Sequence, residues 1–188
     1  MPNTQAQIAL LFDLFDRFGA EHYGEAVSQL QHALQCAQLA RDHACSDAMI
    51  LASLLHDIGR MIDPTGNDAE LEGIDARHEV IGAQALSALF GPEVTEPVRL
   101  HVDAKRYLCA TDAAYAASLS AASILSLAVQ GGAMTADEQH RFEQEPYFAD
   151  AVQLRRFDDW GKRSGCEVAT LESYRPLIEA LAAPRTGA

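Results

Sequence analysis

Apolar positions recur at steps of three and four along nearly the whole chain, and no segment alternates as a half-buried strand does. Ile8, Leu11, Phe12, Phe15 and Phe18 mark a first helix ending near Gly19, and Val27, Leu30, Leu34, Ala37 and Leu39 mark a second. Ser46 is placed to cap a third, whose apolar body Ile50 to Leu55 runs into His56-Asp57, with Gly59 as the expected C-terminal stop. A polar loop follows from Arg60 to Arg77. A fourth helix is predicted from His78 to Gly91-Pro92. A fifth is predicted from a Thr95 cap, with Pro97 in its first turn, through His101 to Tyr107. The uncharged Ala/Ser-rich stretch Ala113 to Ala136 reads as a sixth, buried helix. Thr135 and Glu138 have capping-box spacing for a seventh, Tyr147 to Trp160 forms an eighth before Gly161, and Thr170 caps a short last one. No repeat or linker interrupts the series. The pattern predicts one all-α domain over residues 1–188, built as a helical bundle.

Composition narrows the partners. The chain has 188 residues, 48% of them hydrophobic, which is ample for a packed core. Its net charge of −13 lacks the basic face that nucleic acid or an anionic membrane requires. A small anionic substrate needs only a few local cations, so it stays compatible. The Ala113 to Ala136 stretch carries Gln130 and a Gly131-Gly132 break and is too weakly apolar for a membrane span. Cys36, Cys45, Cys109 and Cys166 form no CxxC pair, and the opening MPNTQAQIALLF has no basic export n-region. Reduced thiols in the cytoplasm are the expectation.

The histidines carry the chemistry. His32, His56, His78 and His101 are spaced by 24, 22 and 23 residues, each interval being about one helix and one connection. Four successive helices can therefore bring one imidazole each to a common point, as helix bundles do when they build metal sites. Asp57 directly follows His56 at the end of an apolar helix, where an unpaired carboxylate would be costly to bury, and Asp158 lies on a later helix. Imidazole and carboxylate suit iron, zinc or manganese. Six donors exceed what one catalytic ion needs but fit two ions about 3.5–4 Å apart, with the two oxygens of Asp57 shared between them. His22, His43 and His140 read as ordinary surface or core residues.

The segment LLHDIGR, with an upstream His and a distant Asp, resembles the HD-domain superfamily, whose members are mostly metal-dependent phosphohydrolases. QLQHALQCA, HVDAKRYL, QGGAM and RRFDDWGK, in order along nearly the whole chain, resemble the PhnZ-type HD-domain oxygenases. That resemblance implies a mixed-valent Fe(II)/Fe(III) pair and dioxygen as co-substrate. It also implies oxidative cleavage of the carbon–phosphorus bond of a 1-hydroxyphosphonate, and a separate upstream hydroxylase that supplies the alcohol. His32, His56 and Asp158 would hold one iron, His78 and His101 the other, with Asp57 bridging. For aminoethyl or trimethylammonioethyl substrates the carboxylate product would be glycine or glycine betaine.

Lys105 lies one turn beyond His101 and Arg155 three residues before Asp158. Both match basic residues that grip the phosphonate, and Lys105 with Asp57 is expected to take direct part in catalysis. Ser123 and Gln31 match polar pocket positions. Glu25 matches a carboxylate that recognises the substrate amine. Tyr23 stands one position from a tyrosine that caps an iron, with His22 in that register. Arg60, where the pattern has His, and Asp103 depart from the family near the substrate. A phosphohydrolase of HD type, acting on a phosphate ester through metal-activated water, uses similar ligands and is the alternative; a metal-holding sensor module is a third reading.

Overall fold

Asn3, Ser28, Ser46, Ser120 and Thr135 each stand in extended backbone ahead of a helix, and each side-chain oxygen accepts an N–H of the first turn. Thr135 and Glu138 form the full capping box. The computed structural model describes residues 3–22, 24–63 and 72–182. In order these form α1 (Thr4–Phe18), α2 (Gln29–Asp42), α3 (Asp47–Leu55), α4 (Ile58–Ile62), α5 (His78–Leu86) and α6 (Pro92–Thr111). They continue with α7 (Ala113–Ser118), α8 (Ala121–Val129), α9 (Ala136–Phe142), α10 (Phe148–Trp160), a 3-10 turn (Leu171–Tyr174) and α11 (Arg175–Leu181). The described residues are all-α, without a strand. None of their helices is long and apolar enough to cross a membrane.

The longest helix, α6, packs against α3, α5 and α10, and α2 packs against α3 and α10. Leu51, Leu54 and Leu55 of α3 meet Leu86, Leu154, Phe157 and Tyr174 in the main core. A smaller cluster of Leu100, Ala104, Met134, Phe142 and Ala151 seats α9. The α2, α3, α6 and α10 helices thus share one apolar centre, and their polar positions at one end of it face each other.

Several expected boundaries shift. Gly59 does not end α3: that helix stops at Leu55, a turn holds His56 and Asp57, and Gly59 lies inside α4. A Cβ there would stand 2.0 Å from the His78 carbonyl oxygen, so Gly59 serves the close approach of α4 to α5. Gly91 and Pro92, not Thr95, open α6; Thr95 and Pro97 lie within it, because Pro92 at the first position already starts the helix. The Ala/Ser-rich stretch breaks into α7 and α8 at Leu119-Ser120, and it is not a buried helix: Ile124 and Leu125 of α8 are exposed while Ser123 and Ser126 are buried. Of the polar loop, Arg60 to Ile62 are helical, and 64–71 lie outside the described residues.

Candidate metal centre

Five parts of the bundle deliver six donors to one place. His32 comes from α2, His56 and Asp57 from the turn between α3 and α4, His78 from the first residue of α5, His101 from mid-α6 and Asp158 from the last turn of α10. Arg77, just before His78, adopts a left-handed backbone (φ 51°), a conformation uncommon outside glycine and one found often beside functional residues.

Backbone carbonyls set three of the rings. Nδ1 of His32, His56 and His101 donates to the carbonyls of Gly161 (3.0 Å), Ser53 (2.9 Å) and Val98 (2.7 Å). Each of these Nε2 atoms then faces inward, and offers a lone pair whenever its ring is neutral. His32 Nε2 lies 3.2 Å from His56 Nε2 and 3.3 Å from Asp158 Oδ1, with Asp57 Oδ2 at 3.8 Å. On the other side, His78 Nε2 lies 3.2 Å from His101 Nε2 and 3.1 Å from Asp57 Oδ1. One Asp57 oxygen faces each set.

Two imidazole nitrogens this close are drawn together by a cation between them, a proton or a metal ion. Donors about 2.1 Å from one ion are about 3.0 Å apart when they meet at a right angle, close to the spacing of both imidazole pairs. The donor chemistry therefore fits two metal ions sharing Asp57.

The electrostatics agree. Burial lowers the His56 ring, and burial together with the neighbouring His78 and His56 rings holds His101 well below its ordinary value, so both are neutral and ready to ligate. Burial works to raise Asp57 and Asp158, but His56 and Arg60 hold the first, and Arg155 and Lys162 the second, well below the usual carboxylate range. Burial would lower His32 too, yet the Asp158 carboxylate beside it, by hydrogen bond and charge, favours the protonated ring and its pKa is raised well above the ordinary value. The cluster thus draws positive charge to that position, and an ion binding there displaces a proton.

Cys36 lies one turn beyond His32, with Sγ 3.9 Å from His32 Nε2. Burial pushes its thiol pKa up, and it donates to the Phe157 carbonyl, so it packs behind the ring as a neutral thiol.

The donors open onto a small cavity of about 50 Å³ walled by α8, Lys105, Arg155 and Lys162. The α8 helix turns its serines inward because the buried Lys105 and Arg155 and the half-buried Lys162 need acceptors. Lys105 Nζ donates to Ser126 Oγ at 2.8 Å, and Lys162 Nζ to Ser123 Oγ at 3.1 Å. Arg155 reaches Ser123 Oγ at 3.4 Å and is held by Asp158 at 2.6 Å, by Asp159 and by the Tyr115 hydroxyl. Tyr115 in turn donates to Asp159 at 2.6 Å.

Of the residues expected from the sequence, Glu25, Arg60, Lys105, Ser123 and Arg155 line this cavity with the donors. Arg60 sits beside Asp57, Nε to Oδ1 at 3.4 Å. Gln31 does not join them: its side chain is exposed, about 100° round α2 from His32. Asp103 also points elsewhere, two residues past His101 and paired with Arg106 at 3.3 Å. His22 is exposed, and Tyr23 lies outside the described residues. Lys162, Asp159, Tyr115 and Ser126 are the participants that sequence reasoning missed; only the position of Lys162 one turn after Asp158 hinted at its role.

The HD domain family matches residues 30–130. The chain is also 44% identical over 174 residues to the hydroxymethylphosphonate dioxygenase of Gimesia maris, spanning 92% of this chain and 87% of that protein. The chain belongs to the HD-domain family, in its PhnZ-type branch. Similarity extends to the 1-hydroxy-2-(trimethylamino)ethylphosphonate dioxygenase (glycine-betaine-forming) of Leisingera caerulea, at 39% identity over 93% of this chain and 90% of that one. An uncharacterized protein of Acanthamoeba polyphaga mimivirus is 32% identical over 89% of this chain and 78% of its own length. The HD pair of this chain is His56-Asp57, and the matched region contains every donor except Asp158, which α10 returns to the site.

Proposed function

We propose that this chain is a dioxygenase that cleaves the carbon–phosphorus bond of a small 1-hydroxyalkylphosphonate at a pair of irons held by these six residues. The amino- and trimethylammonioethyl substrates expected from the sequence belong to this class. The balanced reaction is R–CH(OH)–PO3(2−) + O2 → R–COO(−) + H2PO4(−). The C–P bond and one C–H bond break, C–O and P–O bonds form, and dioxygen accepts four electrons.

One observation carries the reading: the His32–His56 and His78–His101 pairs, with an oxygen of Asp57 toward each, open directly onto the buried cations Lys105 and Arg155 and the half-buried Lys162. The names of the two dioxygenase relatives agree with it. When bound, a mixed-valent iron pair supplies the one-electron chemistry that dioxygen requires.

The protein's own residues do the rest. His32, His56 and Asp158 would hold one ion, and His78 and His101 the other. Asp57 would complete both sets, and its low proton affinity keeps both its oxygens available. Lys105 and Arg155 neutralise and orient the phosphonate oxygens, which holds the hydroxyl-bearing carbon toward the ions. Because Arg155 is pinned by Asp158, Asp159 and Tyr115, it meets the substrate already aligned. The serine face of α8 places Lys105 in the same way.

Oxygen dependence tests the reaction class. Iron-loaded protein given a 1-hydroxyalkylphosphonate should release phosphate in air and consume dioxygen one-for-one, and should stop under argon. Equal phosphate release under argon would instead establish the phosphohydrolase reading.

A second expectation concerns Lys105. Lys105→Met removes a buried ammonium from the anion site while keeping most of its packing, so KM for the phosphonate should rise about 30-fold or more with metal content unchanged. Saturation kinetics like the parent's would show that Lys105 does not touch the substrate.

A further inference from the structure

Each imidazole that binds an ion through Nε2 keeps an N–H on Nδ1, and that donor needs an acceptor when it is buried. Three of the four rings have a backbone carbonyl. His56 and His101 use the carbonyl three residues upstream on their own helices, and His32 reaches Gly161 across the bundle. His78 has no such turn behind it. It is the first residue of α5, and left-handed Arg77 precedes it, so the chain upstream offers no helical carbonyl. Among the described residues, His78 Nδ1 is buried and has no hydrogen-bond partner.

The next residue carries the complementary group. Glu79 Oε2 is likewise buried without a hydrogen-bond partner among the described residues, and it stands 3.8 Å from His78 Nδ1. A carboxylate in the first turn of a helix ordinarily faces solvent and serves the positive helix end. Glu79 is only 7% exposed. The gap is too narrow for a bridging water, whose two hydrogen bonds at a tetrahedral angle would set the groups about 4.6 Å apart. Closing it by about 1 Å gives a charge-assisted hydrogen bond.

We propose that Glu79 is the positioning residue of His78: its carboxylate accepts the Nδ1–H of the ion-bound ring, fixing the ring's orientation and raising the basicity of Nε2. This inference rests on the two-ion centre proposed above. It makes the two positions unequal. The rings of His32 and His56 lean on neutral carbonyls, whereas His78 is backed by a carboxylate, which draws the ring proton more strongly and lets Nε2 give more charge to its ion. The His78 carbonyl already lies against Gly59, so the backbone of this ligand is held and the rotation of its ring is the freedom left for Glu79 to fix.

The test uses the full chain stripped of metal, with Fe(II) affinity measured under argon by competition with a chromophoric chelator. The parent should take two equivalents. Glu79→Leu removes the acceptor and should weaken one equivalent about 10- to 100-fold while leaving the other near its parental affinity. Glu79→Gln keeps a neutral acceptor and should fall between the two. His101→Ala identifies the affected ion: in that background, already lacking the same position, Glu79→Leu should weaken the remaining equivalent no further. Zinc-loaded protein supplies a signature that a packing role would not move. By NMR the His78 Nδ1–H proton should be slow to exchange in the parent, shifted upfield in Glu79→Gln and lost to exchange in Glu79→Leu. Circular dichroism shows whether each variant folds, and the glutamine variant carries the test through its affinity and proton shift if the leucine variant does not. Parental affinity for both ions in Glu79→Leu, equal weakening of both, or a His78 proton unmoved in Glu79→Gln would overturn the proposal and leave the dioxygenase reading intact. A parent protein that binds fewer than two equivalents would overturn the two-ion centre on which both rest.

Discussion

Asp57→Ala is expected to yield a folded chain that holds neither metal ion and releases no phosphate, a loss of about 10³-fold or more in turnover. The reason lies in the two directions of its carboxylate. Oδ1 stands 3.1 Å from His78 Nε2 and Oδ2 3.7 Å from His56 Nε2, so a single side chain completes both donor sets. Without it, one set falls to two imidazoles and the other to two imidazoles and Asp158, and two neighbouring cations lose the anion that screens them from each other. Asp57→Asn keeps the shape but offers one oxygen only, and should retain at most one ion. Metal analysis of the purified variants, with circular dichroism to confirm the helices, checks this; two equivalents in Asp57→Ala would remove Asp57 from the bridging position.

Gly59→Ala carries the second large effect, on the fold as well as on the site. The added Cβ would meet the His78 carbonyl oxygen at 2.0 Å, the His78 carbonyl carbon at 2.8 Å and the Gly82 nitrogen at 2.9 Å. All three are backbone atoms, so no side chain can swing aside. Either α4 or α5 must move, and both carry the site: α4 follows Asp57 directly and α5 begins at His78. Overpacking of this kind costs about 3 kcal/mol or more, which in a chain of this length lowers Tm by about 6 °C or more. His78 should also lose its alignment with His101, and metal content should fall. Thermal melting with metal analysis tests both halves; parental Tm and full loading would show that α4 and α5 have room to spare.

What the sequence alone determined follows from local physics. The three-and-four periodicity comes from 3.6 residues per turn, so the all-α class was legible. The Ser46 cap and the Thr135–Glu138 box depend only on residues three apart. His56-Asp57 stood out because a charged group at the end of an apolar helix demands partners, and the even spacing of His32, His56, His78 and His101 supplied them. Lys105 and Arg155 could be placed because each shares a helix with a donor. Local rules failed wherever two elements meet. Gly59 reads as a helix stop in isolation, and only the passage of α5 against α4 reveals what it makes room for. By hydropathy alone, α8 should bury Ile124 and Leu125, but Lys105, Arg155 and the half-buried Lys162 need acceptors, so the serine face turns in. Gln31 adjoins a donor in sequence yet faces solvent, because neighbours on a helix point about 100° apart. Lys162 donates to Glu25 at 2.9 Å across 137 positions of sequence. No periodicity records such a pair, since its energy depends on where the packed helices bring two side chains together.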